Sequence, residues 1–274
     1  MTVALVVASG VAWAASISCP NRSGNLCVGT DNKDTMIGRD GRADDMRARG
    51  GADEMRGRGH ADSMLGQLGG DTVSGQDGPD TLSGGPGIDA LGGGKGKDKL
   101  SGGEGPDSLN GGAADDTYNF GIDDWGKDTI TDTTNSDTDP FTGNFAQFGF
   151  PNSLSTGLTI NLASSASSPE VKNGALTGTV NWSNDAIDGV YVGSGSTDPT
   201  VTIRSTINGN AAANQLIAKG GEDTIDAGAG DDWISVSDFA GGDKVACGAG
   251  VDTVYFDAND TLTIPTDCER QNPP

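Results

Sequence analysis

Aspartates stand at positions 44, 53, 62, 71, 80, 89, 98, 107 and 116, nine residues apart without a slip, and Asp34 precedes the first by ten. Glycines crowd the space ahead of them, as in Gly84-Gly85-Pro86-Gly87-Ile88-Asp89, and such turns aim backbone carbonyls as well as side chains. Carboxylates plus carbonyls make a ligand set of oxygen alone, which selects a hard cation. A flexible shell of roughly six to eight oxygens suits calcium better than magnesium. The plainer alternative has each aspartate capping an Asx-type turn with no metal.

Two residues after each aspartate comes an apolar side chain: Met36, Met46, Met55, Met64, Val73, Leu82, Leu91, Leu100, Leu109 and Tyr118. Nine residues divide into six of glycine-rich turn and three of strand. In a strand triplet the middle side chain faces one way and its neighbours the other. The neighbours are mostly polar, such as Thr81 and Ser83 or Lys99 and Ser101. One reversal per unit means that two units complete a coil and that residues eighteen apart stack.

The expected fold is therefore all-β, a parallel β-roll or β-helix solenoid with two thin sheets. Met46, Met64, Leu82, Leu100 and Tyr118 line one inner face, and Met55, Val73, Leu91 and Leu109 the other. The aspartates then form two ladders along the edges, Asp44, Asp62, Asp80, Asp98 and Asp116 against Asp53, Asp71, Asp89 and Asp107. Rungs lie about 4.8 Å apart. Like charges at that distance repel by about 1 kcal/mol in water and by several times that in a shielded turn. One leucine per unit contributes only about 1.5–3 kcal/mol. A cation between rungs reverses the sign of the larger effect.

These units resemble the RTX (hemolysin-type) nonapeptide repeat Gly-Gly-x-Gly-x-Asp-x-apolar-x; those ending in Leu91, Leu100 and Leu109 fit it throughout. The resemblance implies a parallel β-roll that binds several Ca2+ ions through aspartates and carbonyls of stacked turns. Carried onto this sequence, it implies metal sites at Asp62, Asp71, Asp80, Asp89, Asp98, Asp107 and Asp116, with turn glycines Gly85, Gly87, Gly94, Gly96, Gly103 and Gly105. The repeat resumes with Asn214, Asp223, Asp232, Asp243 and Asp252, of which Asp223, Asp232 and Asp252 are expected ligands. Ile217, Ile225, Ile234, Val245 and Val254 are the expected apolar partners. Between the two blocks, Leu158–Leu162 and Val201–Arg204 alternate as strands do, so a wider solenoid or an appended sheet is expected. The organisation that follows is a signal peptide over 1–15, a first roll over 16–120, a strand-rich segment over 121–213 and a second block over 214–274 with a disulfide cap.

Departures from the repeat carry their own expectations. The first units carry Arg39, Arg42, Arg47, Arg49, Arg56 and Arg58 in place of glycines, and two readings stand side by side: guanidinium groups that neutralise part of the ladder in place of metal, or a solvated face of mixed charge. Lys95 and Lys97 lie beside a proposed site and are expected to weaken it.

The formal charge of −22 argues against nucleic acid as a partner and favours cations. Val3 to Val11 is an apolar run followed by Ala12-Trp13-Ala14, a small-x-small pattern that reads as a Sec-type signal and a secreted, extracellular protein. The run is shorter than the roughly 20 residues of a transmembrane span, and none is expected. Four cysteines suit export; Cys19–Cys27 and Cys247–Cys268 are the expected local disulfides, with other connectivities open. The single histidine, His60, replaces a turn glycine, and neither HExxH nor GxSxG occurs. The chain thus reads as non-enzymatic, with folding coupled to calcium and with cell-surface or matrix components as the partner class. The competing reading is a calcium-dependent β-helix lyase or epimerase acting on polysaccharide. Its site would have to use Lys172, Trp182, Tyr191 and Arg204, which are scattered in sequence.

Overall fold

In a computed structural model the chain is all-β, with no helix among the described residues. The structure describes residues 15–19, 26–121, 127–132, 144–149, 158–161, 172–173, 179–182, 187, 189–193, 204–237, 242–257, 260, 268 and 270–272. The expected signal segment before Ala15 and the stretch Val201–Ile203 lie outside these residues, as do the side chains of Lys172 and Trp182. The chain divides into two compact units, Met1–Thr117 and Tyr118–Pro274.

The first unit is a two-sheet parallel solenoid. Its strands are β1 (Ala15–Ser18), β2 (Leu26–Val28), β3 (Asp34–Ile37), β4 (Asp45–Gly50), β5 (Glu54–Gly59), β6 (Ser63–Leu68), β7 (Thr72–Asp77), β8 (Thr81–Ser83), β9 (Ala90–Lys95), β10 (Lys99–Ser101) and β11 (Ser108–Ala113). Odd-numbered strands pair in order in one sheet and even-numbered strands in the other. Leu100 lies against Leu82, Leu109 against Leu91 and Val73 against Met55, so apolar residues stack on their own kind at the expected interval. None of the ten residues from Met36 to Tyr118 that follow an aspartate by two is more than 2% exposed.

The division into six turn residues and three strand residues needs correction. Strands β4, β5, β6, β7, β9 and β11 each run for six residues. The inward alternation includes more than the apolar position. Around Leu100, Asp98, Leu100 and Gly102 are buried, while Lys99 is exposed and Ser101 half-buried. The aspartate is thus an interior residue rather than one on an open edge, and the period-two rule extends from it to the first glycine of the next unit.

The second unit keeps the principle with larger excursions. Phe145–Gly149 pairs in parallel with Gly189–Gly193, and Leu158–Asn161 with Thr206–Asn208. The partners are Phe145 with Gly189 and Thr159 with Thr206, far beyond the eighteen-residue step that returns from Thr206 to Thr224. A short antiparallel pairing of Leu158–Asn161 with Lys172–Asn173 accompanies one excursion. Leu158–Asn161, Lys172–Asn173 and Thr206–Asn208 belong to a third sheet, of five strands, apart from the two that run through the first unit. One residue was misplaced in the reading of the second block: the inward position after Asn214 is Leu216, buried and stacked on Ile234, while Ile217 is half-buried and faces outward. Two residues on from Asn214 is the rule that Asp223, Asp232, Asp243 and Asp252 already obey.

Both expected disulfides form, Cys19–Cys27 and Cys247–Cys268, with Cα atoms 5.2 and 5.3 Å apart. Cys27 lies in β2 opposite Met46 of β4, so the first bridge ties the start of the described chain to the stack.

Candidate metal-binding ladders

One inter-coil bond recurs along both ladders. The backbone N–H of each aspartate donates to Oδ1 of the aspartate one coil later: Asp62 to Asp80, Asp71 to Asp89, Asp80 to Asp98 and Asp89 to Asp107, at 2.6–2.7 Å and always eighteen residues on. Asp98 donates to Asp116 at 2.8 Å. In the second block Ser205 and Asn214 take the donor's place toward Asp223 and Asp232, and Asp232 donates to Asp252 at 2.8 Å. The structure therefore brings Asp62, Asp80, Asp98 and Asp116 into one ladder, and Asp71, Asp89 and Asp107 into the other. This inter-coil bond offsets part of the repulsion between rungs, because no carboxylate in these ladders is bare. It is also unlike a local Asx turn, since it joins successive coils.

In the central rungs only one oxygen of the carboxyl is served. The Oδ2 atoms of Asp53, Asp62, Asp71, Asp80, Asp89 and Asp98 are buried and accept no hydrogen bond. Those of Asp62, Asp71, Asp80, Asp89 and Asp98 each lie against the glycine five residues earlier, a place that Ala48 takes ahead of Asp53. A Cβ added to Gly84 would stand 2.2 Å from Asp89 Oδ2 and 2.5 Å from the carbonyl of Gly102, and one on Gly93 would stand 2.2 Å from Asp98 Oδ2 and 2.5 Å from the carbonyl of Gly111. Glycine at that place leaves a cradle with oxygen on two sides. Gly57, Gly66 and Gly75 repeat the arrangement. None of these glycines figured among the expected site residues, although their nine-residue spacing was in plain view.

The expected glycines stack instead on the previous coil. Gly85, Gly94, Gly96, Gly103 and Gly105 have φ between 104° and 129°, the left-handed region in which a side chain is strained. A Cβ on Gly87 would stand 1.6 Å from the carbonyl of Gly69 and 3.1 Å from Asp89 Oδ1. Inter-coil bonds run from Gly85 N–H to Gly102 O and from Gly87 N–H to Glu104 O. The carbonyls of Gly69 and Gly87 accept none of these bonds. Uncommitted oxygens, from carboxyl and backbone, thus converge on the turns.

Beyond Asp44 the ladders have no basic side chain paired with them among the described residues. Burial pushes Asp62 up to about 7 and Asp53, Asp80, Asp89 and Asp98 up to about 6, against the partial relief of the backbone N–H bond. Asp71 is raised for the same reason, and Asp232 reaches about 8. Asp243, left out of the expected ligands, is raised strongly by burial and by the carboxyl of Asp260 beside it. Each group would hold a proton, or another cation, more readily than an aspartate in water. Among the described residues no three acidic, histidine or cysteine side chains gather around one point, so an ion here must complete its shell from the backbone. A buried, undonated Oδ2 beside carbonyl oxygens fits a hard cation such as calcium.

The basic residues fall into two groups. Arg39 alone among the described arginines reaches the ladder, where Nε and Nη2 donate to Asp44 Oδ1, Nε at 3.0 Å. Arg47 pairs with Asp45 at 3.4 Å, Arg56 with Glu54 and Arg58 with Asp40 at 3.2 Å, all among partly or fully exposed side chains outside the ladders. The reading in which all six arginines neutralise the ladder is thereby reduced to one. Lys95 pairs with Asp77 at 3.0 Å and Lys97 with Asp115, on the outer surface, so neither lysine points its charge at a ladder oxygen. His60 is exposed in a turn at φ 78°. Arg204 pairs with Glu222 at 3.1 Å.

A family model described as the RTX calcium-binding nonapeptide repeat matches the chain in four copies, at residues 40–73, 65–100, 92–124 and 206–238. No curated protein matches it. The matched copies contain every expected ligand except Asp252, and they flank a region without repeats.

Proposed function

We propose, for a chain built on RTX calcium-binding repeats and folded as a parallel β-roll, that it serves as an exported structural or interaction module whose folding is completed by calcium. The observation that carries this reading is the row of buried Oδ2 atoms with no donor from Asp62 to Asp98, each facing a glycine cradle beside a carbonyl. Asp62, Asp71, Asp80, Asp89, Asp98, Asp107 and Asp116 would hold the ions in the first block, and Asp223, Asp232 and Asp252 in the second, with Asp243 added. Calcium, when bound, supplies positive charge to the ladders beyond Asp44. The chain's own part is to fix the carboxyls by the Oδ1 bond, to hold the carbonyls in place through left-handed glycines, and to exclude water.

Metal affinity and fold stability are then one quantity. Extracellular modules bind calcium at about 10⁻⁴–10⁻³ M, so the chain would stay open where calcium is scarce and close outside the cell. Two disulfides favour the same compartment. Cell-surface or matrix components are the partners that such a module would meet. Equilibrium dialysis against calcium tests the assignment. The wild-type chain is expected to take up several ions, and a variant carrying Asp80→Asn, Asp89→Asn and Asp98→Asn is expected to lose the ions of the central coils. Unchanged uptake by that variant would remove these residues from the sites.

A further inference from the structure

We propose that Thr30 and Arg39 close the first rung of each ladder with the protein's own donors, so that the coils from Asp34 to Asp62 order without calcium and template those that follow. The second half of this statement rests on the calcium reading above; the first does not.

The rungs differ in who serves their oxygens. At Asp53, Asp62, Asp71, Asp80, Asp89 and Asp98, Oδ1 takes the N–H of the aspartate one coil earlier and Oδ2 is left without a donor. At the first rungs Oδ2 is also served. Asp34 Oδ2 accepts the Thr30 N–H at 2.5 Å and the Thr30 hydroxyl at 3.0 Å. Asp44 Oδ2 accepts the Arg39 N–H at 2.7 Å, while its Oδ1 accepts the guanidinium. The Asp44 side chain is fully buried and that of Arg39 is 15% exposed, so solvent screens the pair little. A guanidinium keeps its charge at every accessible pH and offers fixed donors, which makes it a permanent counter-ion where later rungs need an exchangeable one.

Sequence and topology support the same division. Arg39 follows Gly38, whose added Cβ would meet Asp44 Oδ2 at 2.9 Å, so the arginine enters from the position where later units carry their second turn glycine. The Cys19–Cys27 bridge lies at the same end and ties the residue after β1 to β2, which pairs with β4, independently of any metal. A coil already closed offers its N–H and C=O groups to the next one, which removes the costly first step of building a stack. The order of folding is then from the Arg39 coil toward Asp116 as calcium rises.

Hydrogen exchange by mass spectrometry on the full chain in chelator at neutral pH tests this. Strands β4 and β5 are expected to exchange at least about tenfold more slowly than β9 and β11. Arg39→Gln erases that difference, Arg39→Lys keeps part of it, and Arg58→Gln, whose ion pair lies outside the ladder, leaves it intact. Equal exchange in all four strands, or an Arg39→Gln chain that protects β4 and β5 as the wild type does, would overturn the proposal. Calcium is then added to the same sample. Protection of β4 and β5 in chelator with no further gain on calcium keeps the cap and removes the calcium reading. Equal exchange in chelator followed by protection on calcium addition removes the cap and keeps the calcium reading.

Discussion

Replacing Gly93 by alanine is expected to raise the calcium concentration that orders the β-roll by roughly tenfold or more, while Gly92→Ala leaves it unchanged or slightly lower. The two glycines are adjacent, yet their surroundings are opposite. A Cβ on Gly93 would stand 2.2 Å from Asp98 Oδ2 and 2.5 Å from the Gly111 carbonyl, where neither a carboxyl fixed at Oδ1 nor a backbone atom of the next coil can retreat cheaply. Overpacking of this kind costs about 1–3 kcal/mol, and it falls on the oxygens proposed to face the metal. A Cβ on Gly92 meets nothing within 4 Å, and alanine in a strand is favoured over glycine by about 0.5–1 kcal/mol. Calcium titrations followed by circular dichroism compare the two. Equal midpoints would mean that the cradle is not where the ion acts.

Acid is expected to substitute in part for calcium. The ladder aspartates have folded values of about 6 to 7 at Asp53, Asp62, Asp80, Asp89 and Asp98, above the ordinary 3.8 of the open chain, because burial disfavours the charged form. A group whose folded value is raised in this way binds its proton more tightly when folded. The metal-free coil is therefore most stable below about pH 4 and loses that stability as pH rises through about 7. In chelator, lowering the pH from 7.5 to 5 is expected to increase β-structure, and pH 5 stays above the isoelectric point of about 4.1. With calcium present the sign of the pH effect on binding reverses: protons compete for the same carboxyls, so the calcium midpoint rises as pH falls through 7 to 5. A metal-free chain equally disordered at both pH values, or a calcium midpoint indifferent to pH, would contradict buried carboxyls as the metal's seat.

Much of this arrangement was legible because a solenoid writes its third dimension into its period. The nine-residue step fixed which leucines and methionines meet, and Leu82 under Leu100 and Leu91 under Leu109 follow from counting alone. What counting could not supply was depth. Asp98 and Leu100 both point inward, yet an aspartate beside glycine-rich turns reads more naturally as a rim residue than as part of a dry interior. The hydrogen bond from each aspartate's own N–H to the next Oδ1 was hidden for the same reason, since a backbone donor leaves no mark in the sequence. The role of Gly93 and its equivalents followed from neither φ nor turn chemistry; they have ordinary backbone angles and are required only because a carboxyl occupies the place of their Cβ. Among the arginines, composition could not separate Arg39, which turns into the stack, from Arg47, Arg56 and Arg58, which pair with exposed neighbours. In the second block the two-residue rule itself points to Leu216 rather than Ile217, and the structure buries Leu216.

The central claim is that the ladders are completed by calcium and that the fold depends on it. Far-ultraviolet circular dichroism of the chain in chelator, titrated with calcium and separately with magnesium, tests this most directly. The account predicts a cooperative gain of β-structure with calcium, near the 10⁻⁴–10⁻³ M range of extracellular modules, and a much weaker response to magnesium, whose stricter octahedral shell suits these turns poorly. A spectrum unchanged by calcium, or an equal response to both ions, would contradict it.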